Sequence, residues 1–216
     1  MKILEPLSVY ERTGFEQGLA SGLGAALTHI EVRSNAPKGF AALPESSVEP
    51  DMERIGHTVA AREGIALVRV PGTGGTGSPS AALDLSLAAV RLGVVRRMLR
   101  LAVERLTGRM SGGSPLMHLQ LLQGQVADIA AEAAELSAGL SRLDETVSPM
   151  VREDIHARVH DMSLRVTGFF GAEGYIADHP ARVHHVSALV ANVWCSSLVD
   201  RTHPTRTTQE RNGHGF

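Results

Sequence analysis

A mainly α chain, an antiparallel four-helix bundle behind a short and partly irregular N-terminal segment, is predicted by three features of this sequence. From Pro79 to Val199 apolar residues recur at spacings of three and four, with no strand-type alternation of any length. Prolines at helix starts and glycines after helix ends divide that stretch into four periodic segments. The links between them are short, which favours antiparallel neighbours.

The chain opens weakly patterned. A helix over Ser8 to His29 is expected, weakened by Gly14, Gly18, Gly22 and Gly24, each costing about 1 kcal/mol against Ala in a helix interior. Pro37 to Pro50 mixes Pro, Gly and Ser and reads as loop, and a short polar helix follows near Asp51 to Arg62. Ile65 to Val70 is a strand-like apolar run, stopped by Pro71 and the glycine-rich stretch Gly72 to Gly77. The four bundle helices are then predicted over Pro79 to Leu106, Pro115 to Leu143, Ser148-Pro149 to Gly168, and Pro180 to about Val199. Leu83, Leu87, Val90, Val94, Met98, Leu101 and Leu106 share one broad face of the first. The alanines between 127 and 134 give the second a surface for close approach. The division is therefore an N-terminal segment over 1–78 with a linker at 71–78, a bundle over 79–200, and a flexible tail over 201–216.

Composition narrows the function. In 216 residues, 21 basic and 23 acidic side chains are interspersed, so no basic face for nucleic acid or acidic lipid is expected. The most apolar run, Val186 to Val199, is too short to cross about 30 Å of hydrocarbon, so no membrane partner is expected either. One cysteine, Cys195, and an N-terminus unlike a signal peptide point to a cytoplasmic setting.

Three stretches together resemble the acyl-CoA dehydrogenase family, in order and at the family's distances. Val68-Arg-Val-Pro71, a glycine-rich link and Ala88-Ala-Val-Arg-Leu-Gly93 are similar to the exit from the family's β-domain into its first C-terminal helix. Arg109, Gln120 and Ala127-Asp128 resemble its "R, x, x, F, G … Q … A, D" pattern. Phe170-Gly-Ala-Glu-Gly-Tyr175 with Asp178, Pro180 and Arg182 is similar to its "L, G, G, x, G, Y … E, x, P" pattern, Ala172 departing from it. The resemblance implies the C-terminal helical-bundle domain of that family. It further implies FAD shared across a subunit interface, with Arg109, Gln120, Gly171, Gly174 and Tyr175 as cofactor contacts. A guanidinium at 109 suits the task, because its planar fork pairs with pyrophosphate oxygens. The residues alone also allow a helix cap at Arg109, an ordinary polar position at Gln120 and a plain turn over 171–175.

The departures are as informative. Counted from Gly174-Tyr175, the family's catalytic glutamate falls on Cys195, and its arginine-aspartate pair on Val186-Ser187. The family's alternative base position falls on Leu83, and neighbouring Asp84 fills it only if the register shifts by one. General-base work needs a suitably tuned acceptor beside the carbon acid, and neither Leu83 nor a neutral Cys195 provides one. The segment before the bundle is also too short for the family's N-terminal and middle domains. A truncated subunit is expected, forming a homo-oligomer or a hetero-oligomer with a full-length acyl-CoA dehydrogenase-like subunit. It would be non-catalytic or complementing, in α,β-dehydrogenation of an acyl thioester or acyl-carrier-bound substrate. Two alternatives stand beside it. One is a flavin-independent cyclase or isomerase of a biosynthetic pathway, using a cavity made apolar by Phe170, Val186, Trp194 and Cys195; the other is a purely structural partner.

Other constellations give way to plainer readings. Gly72, Gly74 and Gly77 match a dinucleotide fingerprint, but no ribose-binding acid follows, and a linker is preferred. Glu153, His156 and His160 share a helical face without a further metal ligand, and a solvated charged face is expected, with no metal. His184 and His185 are adjacent and expected to point apart. Cys195 as a nucleophile needs a base from another element, and a small buried hydrophobe is the default.

Overall fold

A computed structural model describes residues 5–72, 80–175 and 179–195. The predicted linker and the Gly72–Gly77 fingerprint beyond Gly72, Asp178, the Tyr175 side chain, the end of the fourth predicted helix beyond Cys195 and the tail over 201–216 fall outside the described residues. The chain begins with helices α1 (Leu7–Gln17) and α2 (Leu19–Leu27) and the short α3 (Val32–Asn35). A sheet follows, built from β1 (Phe40–Pro44), β2 (Glu53–Ile55) and β3 (Ile65–Arg69), with α4 (Thr58–Arg62) between the last two. The bundle comprises α5 (Ala81–Gly108), α6 (Gln120–Leu140), α7 (Pro149–Gly168) and α8 (Val183–Trp194). The fold is mainly α, with the four predicted bundle helices in place.

Local chemistry sets most boundaries. Ser80 and Ser148 cap α5 and α7, their hydroxyls accepting from the N–H groups of Leu83 and Val151, and Pro149 occupies the first turn of α7. Four expectations are corrected. The single helix over Ser8 to His29 is two, because Gly18 takes φ 90°, a left-handed value that breaks the ladder. The Pro37–Pro50 loop contains β1, which pairs antiparallel with β3 in the register Phe40 to Arg69 through Pro44 to Ile65. The polar helix over 51–62 is β2 plus the brief α4, with Glu53 opposite Arg69 on the other edge of β3. The second bundle helix begins at Gln120, not Pro115, because β4 (Met110–Ser111) and β5 (Ser114–Pro115) form a small hairpin between α5 and α6.

α5 is the axis of the molecule. Every residue from 82 through 95 is buried, so its amphipathic face becomes an all-round core element. α1 and α2 pack on one side and α7 and α8 also contact it. α1 lies so close that a Cβ on Gly93 would sit 2.0 Å from the Glu11 carbonyl oxygen, and one on Gly14 would sit 2.3 Å from that of Val90. Buried Glu11 ties three helices, accepting from Arg96 of α5 and, at 2.6 Å, from Ser137 Oγ of α6. At the far end Trp194, fully buried, donates its indole N–H to the Ala42 carbonyl of β1 at 2.9 Å, joining bundle to sheet.

Candidate functional site

Two places gather the residues singled out above. The first is a buried polar network between α5, α7 and α8. Asp84 sits in the first turn of α5, where the helix dipole favours a carboxylate. Its Oδ2 accepts from Arg152 Nε at 2.8 Å, and its Oδ1 lies 2.7 Å from His156 Nε2. On the other side of the ring, Arg91 Nη1 lies 2.6 Å from His156 Nδ1, and Arg91 Nε donates to Ser187 Oγ at 3.1 Å. Cys195 Sγ lies 3.6 Å from His156 Nε2. Asp84 is 5%, Arg91 3%, and His156 and Cys195 each 2% exposed.

These distances fix the protonation states. A guanidinium can only donate, so Nδ1 of His156 accepts, and the neutral ring carries its proton on Nε2, which donates to Asp84. Burial pulls the His156 pKa down, with Arg91 adding to the effect and Asp84 opposing it. Burial would raise the Asp84 carboxyl, but hydrogen bonds from His156, Cys195 and Arg152 hold it below the usual range. Burial and the Asp84 charge push the Cys195 thiol well up. Arg91, desolvated, falls to about 10 and remains a cation. The network therefore holds two cations, one carboxylate, a neutral imidazole and a neutral thiol.

Its chemistry follows. His156 cannot deprotonate Cys195, because the nitrogen facing the thiol is protonated and the other is engaged by Arg91. Asp84, His156 and Cys195 offer ligand atoms within 4.8 Å of one another. A metal on Nε2 would nevertheless force an N–H at Nδ1 against the Arg91 guanidinium, and two arginines already press on the set. Asp84, with Leu83 beside it in the core, stands next to Cys195. A buried carboxylate thus lies beside the thiol.

Other expectations near this network change. His156 lies in the core, not on a solvated face with Glu153 and His160, because Asp84 and Arg91 satisfy both ring nitrogens. His184 and His185 do not point apart: their Nε2 atoms are 3.1 Å from each other and their ring centroids 3.8 Å. His160 stands 6.4 Å from the His184 ring. Val186, Trp194 and Cys195 pack into the core and line none of the cavities described here.

The second place is a cavity of about 800 Å³ at the junction of α5, the hairpin, α6 and the end of α7. Its polar lining is Arg109, Gln125, Asp128 and Arg165, and Phe170 and Gly171 form part of its wall. Arg109 closes α5, its N–H donating to Arg105 and its carbonyl accepting from Leu116 at 2.7 Å, which folds the hairpin back. Its side chain is exposed and in no ion pair among the described residues. Gly171 takes φ 61°, and a Cβ there would meet nothing within 4 Å, so the backbone is open to approach. Gly174 is buried, and a Cβ would come within 2.8 Å of the Thr167 carbonyl, a packing need of its own. Gln120 is exposed at the start of α6 and does not line this cavity. The nearby exposed apolar side chains of Met110, Leu119 and Leu121 went unremarked in the sequence, because periodicity cannot tell an unpartnered apolar residue from a core one.

Among the described residues, no helix is long and apolar enough to cross a membrane. No family model matches the chain. It is 27% identical, over 119 residues and 51% of its length, to the human mitochondrial short-chain specific acyl-CoA dehydrogenase, covering 29% of that protein. Among solved structures, glutaryl-CoA dehydrogenase from Mycobacterium smegmatis matches 80% of this chain with 51% of its own, at 17% identity and a TM-score of 0.50. The Tcur3481-Tcur3483 steroid ACAD matches 78% of this chain with 48% of its own, at 19% identity and a TM-score of 0.51. The chain thus spans about half the length of the solved structures it matches, and at these identities they speak to fold alone. In sequence over half its length and in the fold of its helices, the chain is acyl-CoA dehydrogenase-like, with the mainly α architecture of that family's C-terminal domain.

Proposed function

We propose that this chain is a complementing, non-catalytic subunit that pairs with itself or with a full-length acyl-CoA dehydrogenase-like subunit. In that assembly Arg109, Gln120 and the turn over Gly171 to Tyr175 contribute to an FAD site serving α,β-dehydrogenation of an acyl thioester. FAD, when bound, supplies the redox chemistry; the residues of this chain bind and orient it.

The observation that carries the reading is the meeting of Arg109, Asp128 and Gly171, from separate stretches of sequence, around one open cavity. The residues present fit the cofactor. An exposed arginine in no ion pair among the described residues suits a pyrophosphate, Gly171 leaves room for close approach, and Asp128 can accept from a hydroxyl or amine. Met110, Leu119 and Leu121, 62%, 52% and 73% exposed, border this end and supply apolar surface for a partner.

The network at Asp84 and Cys195 favours the non-catalytic role. A carboxylate already held by Arg152 and His156, and buried with the thiol, is poorly placed to reach a substrate carbon acid. The flavin-independent reading loses its support, since Val186, Trp194 and Cys195, three of the four residues invoked for its cavity, line neither cavity at the ends of the bundle helices. Co-expression with a full-length acyl-CoA dehydrogenase-like subunit, followed by mass measurement in solution, tests the proposal: a stable complex or a homo-oligomer is expected, and a strict monomer in both samples contradicts it.

A further inference from the structure

The two stretches of chain that meet around the cavity at Arg109 are joined by a pair of side chains that do not line it. Arg105, in the last turn of α5, places Nη2 2.5 Å from Oε2 of Glu173, in the 3₁₀ turn Gly171–Tyr175. The Arg105 carbonyl also accepts the Arg109 N–H, at 3.0 Å. One residue therefore holds Arg109 through its backbone and the turn through its side chain.

The turn has need of such a hold. It is fixed at both ends: Phe170 is 4% exposed and meets the His179 ring edge-on at 4.8 Å, and Gly174 is buried close to the Thr167 carbonyl. Between these anchors Gly171, Ala172 and Glu173 are exposed. Gly171 takes φ 61° and has open space around its Cα, so no packing fixes the left-handed backbone that walls the cavity. Glycine loses more conformational freedom on ordering than any other residue, so this stretch keeps one position only if something outside it supplies the restraint. Among the described residues, the pair with Arg105 is the one ion pair on the stretch. With side chains 22% and 52% exposed, it is of modest strength, enough to set the position of a turn without deciding whether the bundle folds.

We propose that Arg105 and Glu173 are positioning residues, a clasp that holds the Gly171 backbone at a set distance from Arg109 and so preorganises the wall against which FAD lies. The clasp rests on the FAD reading above. Neither residue touches the cofactor; ordering the turn beforehand removes that entropy loss from the binding step.

A double-mutant cycle on Glu173→Gln and Arg105→Gln tests it with two readouts. One is FAD affinity of the assembly co-expressed with a full-length acyl-CoA dehydrogenase-like subunit; the other is hydrogen exchange of the turn amides in the flavin-free chain. Each single variant should weaken FAD about threefold and speed exchange about threefold. The double variant should do no more than either alone, because both remove the same contact. In about 1 M salt, which screens the pair, wild type and variants should converge. Unchanged exchange in Glu173→Gln, or losses that add in the double variant, would overturn the clasp whether or not flavin binds. Faster exchange with unchanged FAD affinity would overturn the positioning role and leave the FAD reading standing. A wild-type assembly that holds no FAD would remove the FAD reading and the positioning role with it, while exchange still decides whether the pair holds the turn. If Arg105→Gln does not fold, Glu173→Gln and its salt dependence decide.

Discussion

The thiol of Cys195 lies 3.6 Å from Nε2 of His156, within reach of a base, yet that nitrogen holds a proton and gives it to Asp84. Arg91, on the far side of the ring, fixes this arrangement by occupying Nδ1 as a donor. A spacing that suggests a cysteine–histidine dyad is instead one link of a buried network that runs from Ser187 to Arg152.

Cys195 should therefore be unreactive. Burial keeps it a neutral thiol, and only the thiolate is strongly nucleophilic. Alkylation by iodoacetamide at mildly alkaline pH should be at least about 100-fold slower in the folded chain than in urea, since little thiolate forms and access is closed. Equal rates in the two states would mean that the thiol is activated or exposed.

Asp84→Asn should destabilise the chain by about 3 kcal/mol, because it leaves buried Arg91 and half-buried Arg152 without a carboxylate. Urea unfolding followed by circular dichroism measures it. A change below about 0.5 kcal/mol, the size of an ordinary surface substitution, would show that the network does not hold the helices together.

Stability should fall as the pH drops below the ordinary histidine range. Burial, then His185 and His160, pull the His184 pKa from 6.5 to about 4, and His156 shifts in the same direction. The unfolded chain then binds protons that the folded chain does not. The contribution of His184 is complete above about 6.5 and is lost progressively toward about 4. The lowered carboxyl of Asp84 adds a loss at still lower pH, as it falls below the ordinary carboxylate range. Urea midpoints across this window should decline, and His184→Gln should flatten the decline; a pH-independent midpoint would contradict the assignment.

Gly93→Ala should cost at least about 2 kcal/mol, since its Cβ would fall 2.0 Å from the Glu11 carbonyl and force α1 away from α5. Thermal unfolding compared with Ala88→Gly, which removes a Cβ from the same helix, separates overpacking from helix propensity. A tolerated Gly93→Ala would mean that α1 does not dock as closely as described.

Much of the bundle was legible because caps and prolines are local signals: Ser148-Pro149 marks the start of α7 directly. The sheet was not. Phe40-Ala-Ala-Leu-Pro44 has no β-branched residue, and β2 is exposed throughout, so each becomes a strand only through pairing with β3. Counting fell on Leu83 rather than Asp84, and burial does not separate the two, because α5 is buried around its whole circumference there and both positions face protein. His156 looked solvated because its partners lie 72 and 65 residues away. Arg109 and Gly171, by contrast, stood out through their motifs, and the cavity between them needed only the fold to bring them together.

The visible absorption spectrum of the chain, purified alone and co-expressed with a full-length acyl-CoA dehydrogenase-like subunit and repeated with Arg109→Ala, decides whether Arg109 helps to hold a flavin. That substitution is exposed and should change stability by less than about 0.5 kcal/mol. Flavin bands are expected to co-purify with the wild-type assembly and to be lost or strongly reduced in the variant. Colourless wild-type protein in both preparations, or bands of equal intensity with and without Arg109, would contradict it.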